Sequence, residues 1–209
     1  LQPNFLWKNN HKNGFVNVAE QSKSHGIPDS VIAYTGGIKY PVCGHTIGSC
    51  FSDLNNDGLI DLFVGNFSHP RPGQDHPQFL QNGGTDNDFV FEDKSELAGL
   101  AWQESYASPT VGDFNNDGIQ DFFFTTVYAV GSGNIRNYPV LYQGKGDWAF
   151  EDITALQKLN ELPPTYQAAW ADIDNDGDLD LCTAGKLFRN DNPLTGKWLK
   201  IRLSGDGKK

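Results

Sequence analysis

The chain contains no methionine, only three cysteines, and no apolar run long enough to cross a membrane as a helix. Its 16 Lys and Arg are outnumbered by 26 Asp and Glu, so it lacks the basic surface that nucleic-acid binding requires. The nucleophile-elbow, zinc-protease and P-loop motifs are also missing. These absences predict no membrane span and no nucleic-acid partner. The start at Leu1 without methionine favours a processed chain or a fragment.

The 209 residues do include 14 Phe, 7 Tyr and 5 Trp, together with 23 Gly and 11 Pro. A chain so rich in aromatic residues can build a core, unlike disordered acidic chains, which have few of them. Abundant glycine and proline are typical of a protein with many turns. The composition therefore predicts a folded, mostly β domain with a formal net charge of −10.

An acidic motif of nine residues occurs three times, at steps of 60 and 59 residues. The copies are Asp53-Leu-Asn-Asn-Asp-Gly-Leu-Ile-Asp61, Asp113-Phe-Asn-Asn-Asp-Gly-Ile-Gln-Asp121 and Asp172-Ile-Asp-Asn-Asp-Gly-Asp-Leu-Asp180. We call them loops 1, 2 and 3 and number their positions 1 to 9. Each loop is preceded by a short run of small residues and followed by an apolar run, which predicts a strand on either side.

A second repeat follows each loop and reads as two strands around a Gly-, Asn- and Asp-rich turn. The unit thus predicts four antiparallel strands, and a period near 60 residues indicates all-β propeller blades with long connections. The N-terminus matches only the second strand pair, so we expect about three and a half blades in one domain. The predicted limits are a half blade at 1–27 and blades near 42–100, 101–160 and 161–205.

The stretches 27–41 and 68–77 have no place in this repeat and are predicted to be loop insertions. Helix signals are weak throughout the sequence. Residues 153–162 form the one candidate for a short helix, which Pro163 and Pro164 would end.

The spacing within the acidic motif suits a hard cation of calcium size. Side-chain oxygens at positions 1, 3 and 5 converge on one point because glycine at position 6 permits the chain to reverse. Position 7 would contribute its backbone carbonyl, and position 9 is Asp in every copy. We therefore predict three Ca²⁺ sites, with these candidate ligands: Asp53, Asn55, Asp57, Leu59 and Asp61; Asp113, Asn115, Asp117, Ile119 and Asp121; Asp172, Asp174, Asp176, Asp178 and Asp180.

The motif allows two other interpretations. An EF-hand needs an acid at position 12, where this chain has Val64, Phe124 and Thr183, so that interpretation is excluded. A plain Asn/Asp/Gly turn needs no metal and stays open. Three copies in one register favour metal, because clustered carboxylates repel one another without a cation. Magnesium is disfavoured because it keeps its water and rarely takes an all-protein cage.

The loops account for most of the chain's acidity. They hold 11 of the 26 acidic residues, and the 15 that remain are balanced by 16 bases. The negative charge therefore indicates cation sites rather than a repulsive surface or a basic partner.

Loops of the form D-x-[DN]-x-D-G-x-x-D within β repeats resemble the FG-GAP (VCBS) repeats of integrin α-subunit propellers. The segments Phe91-Glu-Asp-Lys-Ser and Leu187-Phe-Arg-Asn190 fit the outer strands of that repeat. The tail Lys197-Trp-Leu-Lys-Ile-Arg-Leu203 looks like the start of the ASPIC/UnbV segment of cartilage-acidic-protein-like secreted chains. The resemblance implies an extracellular propeller, secreted, at the cell surface or periplasmic, with calcium loops between the first two strands of each blade. Propellers of this family usually close with seven blades, so three and a half imply a fragment or chains that complete one another.

Cysteines and histidines offer weaker signals. Cys43 and Cys50 are seven residues apart and could form a disulfide across a local turn, worth about 2–3 kcal/mol in the chain-entropy model. Three buried thiols are the alternative. The segment His69–His76 is the densest histidine cluster and could carry a metal or sugar site, although a solvated Pro-rich loop is the favoured interpretation. His45 beside Cys43 is expected to be structural.

The favoured function is a calcium-binding module that recognises a protein or glycan, or that assembles into a homo-oligomer. One alternative is the propeller of a secreted polysaccharide lyase or hydrolase with its chemistry at 69–76. Another is a self-assembling surface filament. Enzymatic activity is not favoured, and the sequence leaves it open. Asn66-Phe-Ser68 is a formal glycosylation sequon, and Trp102, Tyr106 and Tyr128 could stack on sugars or fill gaps between blades.

Overall fold

The computed structural model describes residues 4–12, 14–24, 45–67 and 77–192, together with positions 199, 201–202 and 204–205. Of 32–35 and 38–41 it describes the backbone alone. All the sheets in these residues are antiparallel. They contain two hairpins and three larger sheets. The predicted fold class, all-β with propeller blades, is confirmed.

The first hairpin pairs β1 (Trp7–Asn9) with β2 (Phe15–Asn17), as expected for the N-terminal half blade. A second hairpin pairs β3 (Ile32–Thr35) with β4 (Ile38–Pro41). The prediction that 27–41 is only a loop insertion is therefore wrong, because two runs of four residues in this stretch pair as strands. Most of the other predicted insertion, residues 68–76, lies outside the described residues.

Each of the three larger sheets begins with a strand that leads into an acidic loop. Their strands are hydrogen-bonded in sequence order, with each strand antiparallel to the one before it. The first sheet comprises β5 (His45–Ser52), β6 (Asp61–Phe67), β7 (Gln78–Asn82) and β8 (Phe91–Asp93). The second comprises β9 (Pro109–Gly112), β10 (Asp121–Phe124), β11 (Val140–Gly144) and β12 (Phe150–Asp152). The third comprises β13 (Ala168–Ala171), β14 (Asp180–Thr183) and β15 (Lys186–Phe188).

Loops 1, 2 and 3 therefore connect β5 to β6, β9 to β10 and β13 to β14. The first strands of consecutive sheets also adjoin, since β5 contacts β9 and β9 contacts β13. Of the fourth strand predicted for the last blade, near Trp198–Leu203, positions 199, 201 and 202 are described and belong to no strand. The other three residues lie outside the described residues.

Alternation along β10 joins neighbouring blades into one core. Phe122 and Phe124 face the first blade, where Phe124 lies 4.9 Å, centroid to centroid, from Phe63. Phe123, between them, faces the third blade and packs in a cluster with Leu181. Because period-2 alternation places successive side chains on opposite faces, a strand buried on both sides reads as a continuous apolar run.

The polypeptide comes so close between the first two blades that only glycine fits. A Cβ atom at Gly65 would lie 2.9 Å from the carbonyl oxygen of Ala107, and one at Gly48 would lie 2.8 Å from the same atom. Both glycines belong to the inner strands of the first blade, where they let its backbone pack directly on the next blade.

Helical structure occurs where the sequence did not predict it. The one α-helix in the described residues is a single turn, Ser95–Ala98, after β8. The predicted helix at 153–162 is wrong, since this stretch forms consecutive turns. The Leu159 amide bonds to the Thr154 carbonyl at 2.9 Å, five residues back, and Lys158 has a left-handed φ of 58°. That geometry turns Leu159 into the core between the second and third blades.

Candidate metal sites in the acidic loops

The three acidic loops share one backbone conformation. Asparagine at position 4 is left-handed in each, with φ of 62°, 60° and 63°, and glycine at position 6 has φ of 85°, 85° and 95°. A φ near 85° strains any residue with a Cβ atom, which explains the glycine. Asparagine tolerates the left-handed region best among the other residues. The repeat in sequence is thus a repeat in local structure.

Position 9 places a buried carboxylate at the base of each loop. Asp61, Asp121 and Asp180 are 0%, 0% and 1% exposed. In each, Oδ2 accepts the backbone N–H of position 2 at 2.9–3.0 Å, and Oδ1 accepts an N–H at 2.8 Å from the last residue of the third strand or, in the third sheet, from two residues beyond it. The Asp at position 9 therefore links its loop to the chain at the end of the third strand. The sequence indicated only a metal ligand at this position and gave no sign of this structural role.

Burial changes the acidity of these carboxyls in two of the loops. It raises the pKa of Asp121 to about 7, although the N–H groups of Gly144 and Phe114 oppose the shift by stabilising the anion. Burial also raises the pKa of Asp61, with smaller contributions of the same sign from the charges of Asp57 and Asp53.

Positions 1, 3 and 5 of loop 3 bring three carboxylates together. Oxygen atoms of Asp172, Asp174 and Asp176 all lie within 4.8 Å of one another. The pKa of Asp174 is raised by loss of solvent and by the charges of Asp176 and Asp180. Within the described part of the chain, Oδ1 of Asp172 is buried and accepts no hydrogen bond. An anionic oxygen without a donor, inside a cluster of like charges, is the environment that a hard cation would satisfy.

Loops 1 and 2 hold the same positions in a tight turn, with Asn at position 3. In loop 1, the Asp57 amide donates to Asp53 Oδ1 at 3.1 Å and the Gly58 amide to Asp53 Oδ2 at 3.0 Å. Loop 2 repeats both bonds onto Asp113 at 3.0 and 2.8 Å. Backbone donors thus hold the first carboxylate against the backbone of positions 5 and 6 in both loops.

Further hydrogen bonds join each loop to its surroundings, and sequence reasoning missed them. Gln81 Nε2 donates to Asp57 Oδ2 at 3.1 Å in the first blade. Asn190 Nδ2 donates to the carbonyl oxygen of Phe114 at 2.6 Å, which connects the third blade to loop 2. Gln81 and Asn190 lie outside the nine-residue motif, so the motif contained no signal for these two contacts.

Other predicted site residues are placed differently. Cys50 packs against the aromatic core, and burial raises the pKa of its thiol to about 12. Cys43 lies outside the described residues, so the Cys43–Cys50 disulfide stays a prediction. The His69–His76 segment also lies outside the described residues.

The structure bears on two suggestions about surface recognition. Asn66 is fully buried, and its Oδ1 accepts a hydrogen bond from Thr46 Oγ1 at 2.7 Å, so the sequon is closed to a glycan in this fold. Tyr106 belongs to the core, whereas Tyr128 stacks on Phe67 with ring centroids 5.6 Å apart. Trp102 is 44% exposed and remains open to contact.

No helix in the described residues is long and apolar enough to cross a membrane. The regular structure around the loops is almost entirely strand. The repeating unit is a sheet of up to four antiparallel strands with one acidic loop between its first two strands.

A family model for the FG-GAP-like repeat matches residues 53–124 and 126–183, which include all three loops. The chain belongs to this family of repeat proteins. Among curated proteins it is similar to cartilage acidic protein 1 of Xenopus tropicalis, with 27% identity over 212 residues, and to its Homo sapiens counterpart, with 25% over 207 residues. Both alignments cover 95% of this chain but only 29% and 28% of the relative. The chain thus spans less than a third of the length of the relatives it matches.

Proposed function

We propose that this chain is a calcium-stabilised segment of an extracellular β-propeller that serves binding or assembly rather than catalysis. The observation that carries the proposal is the cluster of Asp172, Asp174 and Asp176, with its donor-free buried oxygen. Membership of the FG-GAP-like repeat family and the shared conformation of the three loops support it.

The residues that would hold the ion are those at positions 1, 3 and 5 of each loop, with the carbonyl oxygen of position 7. A bound Ca²⁺ would supply positive charge where carboxylates now repel one another, and would fix the hairpin between the first two strands of a blade. Exposed loops of this kind require the high calcium concentrations found outside cells, which supports an extracellular, secreted or cell-surface location.

A binding or assembly role is supported by exposed apolar side chains on the strands. Trp7 and Phe15 of the N-terminal hairpin are 58% and 65% exposed. Leu187 of β15 is also exposed, and it pairs with exposed Cys182 in β14. Apolar side chains left on a sheet are typical of surfaces that contact a protein, a glycan or another copy of the chain.

Calcium removal tests the metal sites. The chain is stripped with EDTA and melted in EDTA, in 2 mM CaCl₂ and in 2 mM MgCl₂. Stabilisation grows with the logarithm of metal concentration over Kd, so three sites each half-saturated near 0.1–1 mM stabilise by about 2–5 kcal/mol in total. We expect the melting temperature in calcium to exceed that in EDTA by about 10 °C, and magnesium to give a much smaller gain.

Variants assign the effect to the loops. The Asp172→Asn/Asp176→Asn double variant should lose at least a third of the calcium gain, whereas Asp147→Asn, at an exposed acid outside the loops, should keep all of it. Identical melting curves with calcium and with EDTA for the unmodified chain would refute the calcium proposal. Sedimentation velocity tests assembly, for which a strictly monomeric chain at high concentration would count against self-association.

A further inference from the structure

The position-4 asparagines connect consecutive acidic loops. Asn56 Nδ2 in loop 1 donates to the carbonyl oxygen of Gly118 in loop 2 at 3.0 Å. Asn116 Nδ2 in loop 2 donates to Asp178 Oδ1 in loop 3 at 2.7 Å. Both contacts span 62 residues and run from one loop to the next along the chain. The same position thus makes the same kind of contact at both junctions between loops.

Each of these contacts ends next to a candidate metal ligand. Asn116 lies between Asn115 and Asp117, which occupy positions 3 and 5 of loop 2. Its acceptor, Asp178, donates its backbone N–H to Oδ1 of Asp176, position 5 of loop 3, at 3.0 Å. The candidate ligands of loops 2 and 3 are therefore joined through one side-chain hydrogen bond.

The junction between loops 1 and 2 follows the same pattern. Asn56 lies between the candidate ligands Asn55 and Asp57. Its acceptor is the carbonyl of Gly118, whose own N–H donates to Oδ2 of Asp113, position 1 of loop 2, at 2.8 Å. In both cases the residue that accepts the asparagine of the preceding loop also donates its own backbone N–H to a candidate ligand.

The second carboxylate oxygen of Asp178 also accepts a hydrogen bond. Oδ2 accepts the backbone N–H of Asn192 at 2.8 Å, and Asn192 Nδ2 donates to the carbonyl oxygen of Asn115 at 2.8 Å. The carboxylate of Asp178 thus serves as a link between two loops, which leaves only its backbone carbonyl for a metal.

We propose that these asparagines couple the loops, so that Ca²⁺ bound in one loop raises the calcium affinity of the neighbouring loop. This inference rests on the proposed calcium sites. An ion in loop 3 holds Asp176, which fixes the Asp178 backbone and, through its carboxylate, the Asn116 side chain. Loop 2 then loses less conformational entropy when it binds its own ion, and this difference produces positive cooperativity. Loop 3 fills first because it has carboxylates at positions 1, 3 and 5, whereas loops 1 and 2 have Asn at position 3.

Calorimetric titration of the EDTA-stripped chain with CaCl₂ alone tests the coupling. Asn116→Gly removes the donor but keeps a residue suited to φ of 60°. We expect loop 2 to bind calcium about fivefold more weakly in this variant, the lower end of typical coupling. The matched control is Asn134→Gly, at an exposed residue with φ of 63° outside the loops, which should leave all binding constants unchanged.

A double-mutant cycle separates coupling from local damage. Disabling loop 3 with Asp172→Asn/Asp176→Asn should weaken loop 2 by a similar factor, and adding Asn116→Gly should then change little more. Asn56→Gly provides an independent test at the other junction. Unchanged loop 2 affinity in Asn116→Gly, or fully additive losses in the cycle, would overturn the coupling. Failure of the unmodified chain to bind any calcium would instead overturn the proposed function.

Discussion

Asp121 Oδ1 accepts the backbone N–H of Gly144 at 2.8 Å, across 23 residues of chain. Its other oxygen accepts the N–H of Phe114 at 3.0 Å, so one buried carboxylate joins the start of loop 2, the first residue of β10 and the end of β11. Asp61 and Asp180 make the equivalent bonds in their own blades. The ninth position of the motif is therefore structural whether or not a metal is bound.

The first prediction separates this structural role from metal binding. Asp121→Ala leaves two buried N–H groups without an acceptor and should lower the free energy of unfolding by about 2–4 kcal/mol. Because these bonds need no ion, we expect the loss in EDTA as well as in calcium. Urea denaturation at pH 8 under both conditions measures it.

Asp113→Ala is the comparison within the same loop. Position 1 is half-buried and belongs to the proposed cation site, and its carboxylate also accepts two exposed backbone N–H groups. Asp113→Ala should therefore lower the free energy of unfolding more in calcium than in EDTA. A loss for Asp121→Ala that disappears in EDTA would show that position 9 acts only through the metal.

The second prediction concerns the core between blades. Phe123 is fully buried between the second and third blades, and Phe123→Ala should cost about 3–5 kcal/mol because it removes burial and leaves a cavity. Phe51→Ala, at a strand residue that is 54% exposed, should change stability by less than about 1 kcal/mol. Thermal and urea unfolding compare the two, and equal losses would contradict the packing of β10 against both neighbours.

The third prediction concerns the turn of loop 2. Gly118 has φ of 85° and open space where a Cβ would lie, so Gly118→Ala suffers backbone strain without a clash. We expect a loss of about 1–2 kcal/mol and weaker calcium binding. Gly118→Asn should lose less, since asparagine tolerates positive φ. If the two variants lose equal stability, something other than φ governs this position.

The fourth prediction concerns thiol reactivity. Cys182 is exposed, whereas burial raises the pKa of Cys50 to about 12, which suppresses the reactive thiolate at pH 8. In a Cys43→Ser variant we expect one thiol to react rapidly with a colorimetric thiol reagent and a second to react only after unfolding. Cys43→Ser/Cys182→Ser should lack the rapid phase. Rapid labelling of Cys50 in the native state would show that β5 is not packed as described.

The acidic loops and the strands beside them could be predicted because their signals are local and occur three times. Asp at position 9 was also visible in the sequence, but its role was not. Its partners are backbone groups of Gly144, the last residue of β11, for loop 2 and of Asn190, two residues after β15, for loop 3. Any residue except proline provides a backbone N–H, so the sequence contains no signal for that contact.

The segment 153–162 shows tertiary packing overriding local propensity. Its composition permits a helix, yet Asp152 Oδ1 accepts both the amide and the hydroxyl of Thr154, at 2.9 and 2.6 Å. Ile153 and Leu159 both enter the core beside the third blade. Competition from a side-chain acceptor and from burial on a neighbouring sheet cannot be read from a ten-residue window.

The alternation of Phe122, Phe123 and Phe124 lets the second blade pack against one neighbour through one face and against the other neighbour through the opposite face. A duplicated stretch of about 60 residues contains both packing faces. Such a protein can therefore gain or lose whole repeats, because each new interface between blades is equivalent to an existing one. A single inserted residue within β10 has a different effect, because every side chain after the insertion would move to the opposite face of the strand. Gene duplication is therefore an easy route for this architecture to evolve, whereas small insertions survive only in the connections between strands.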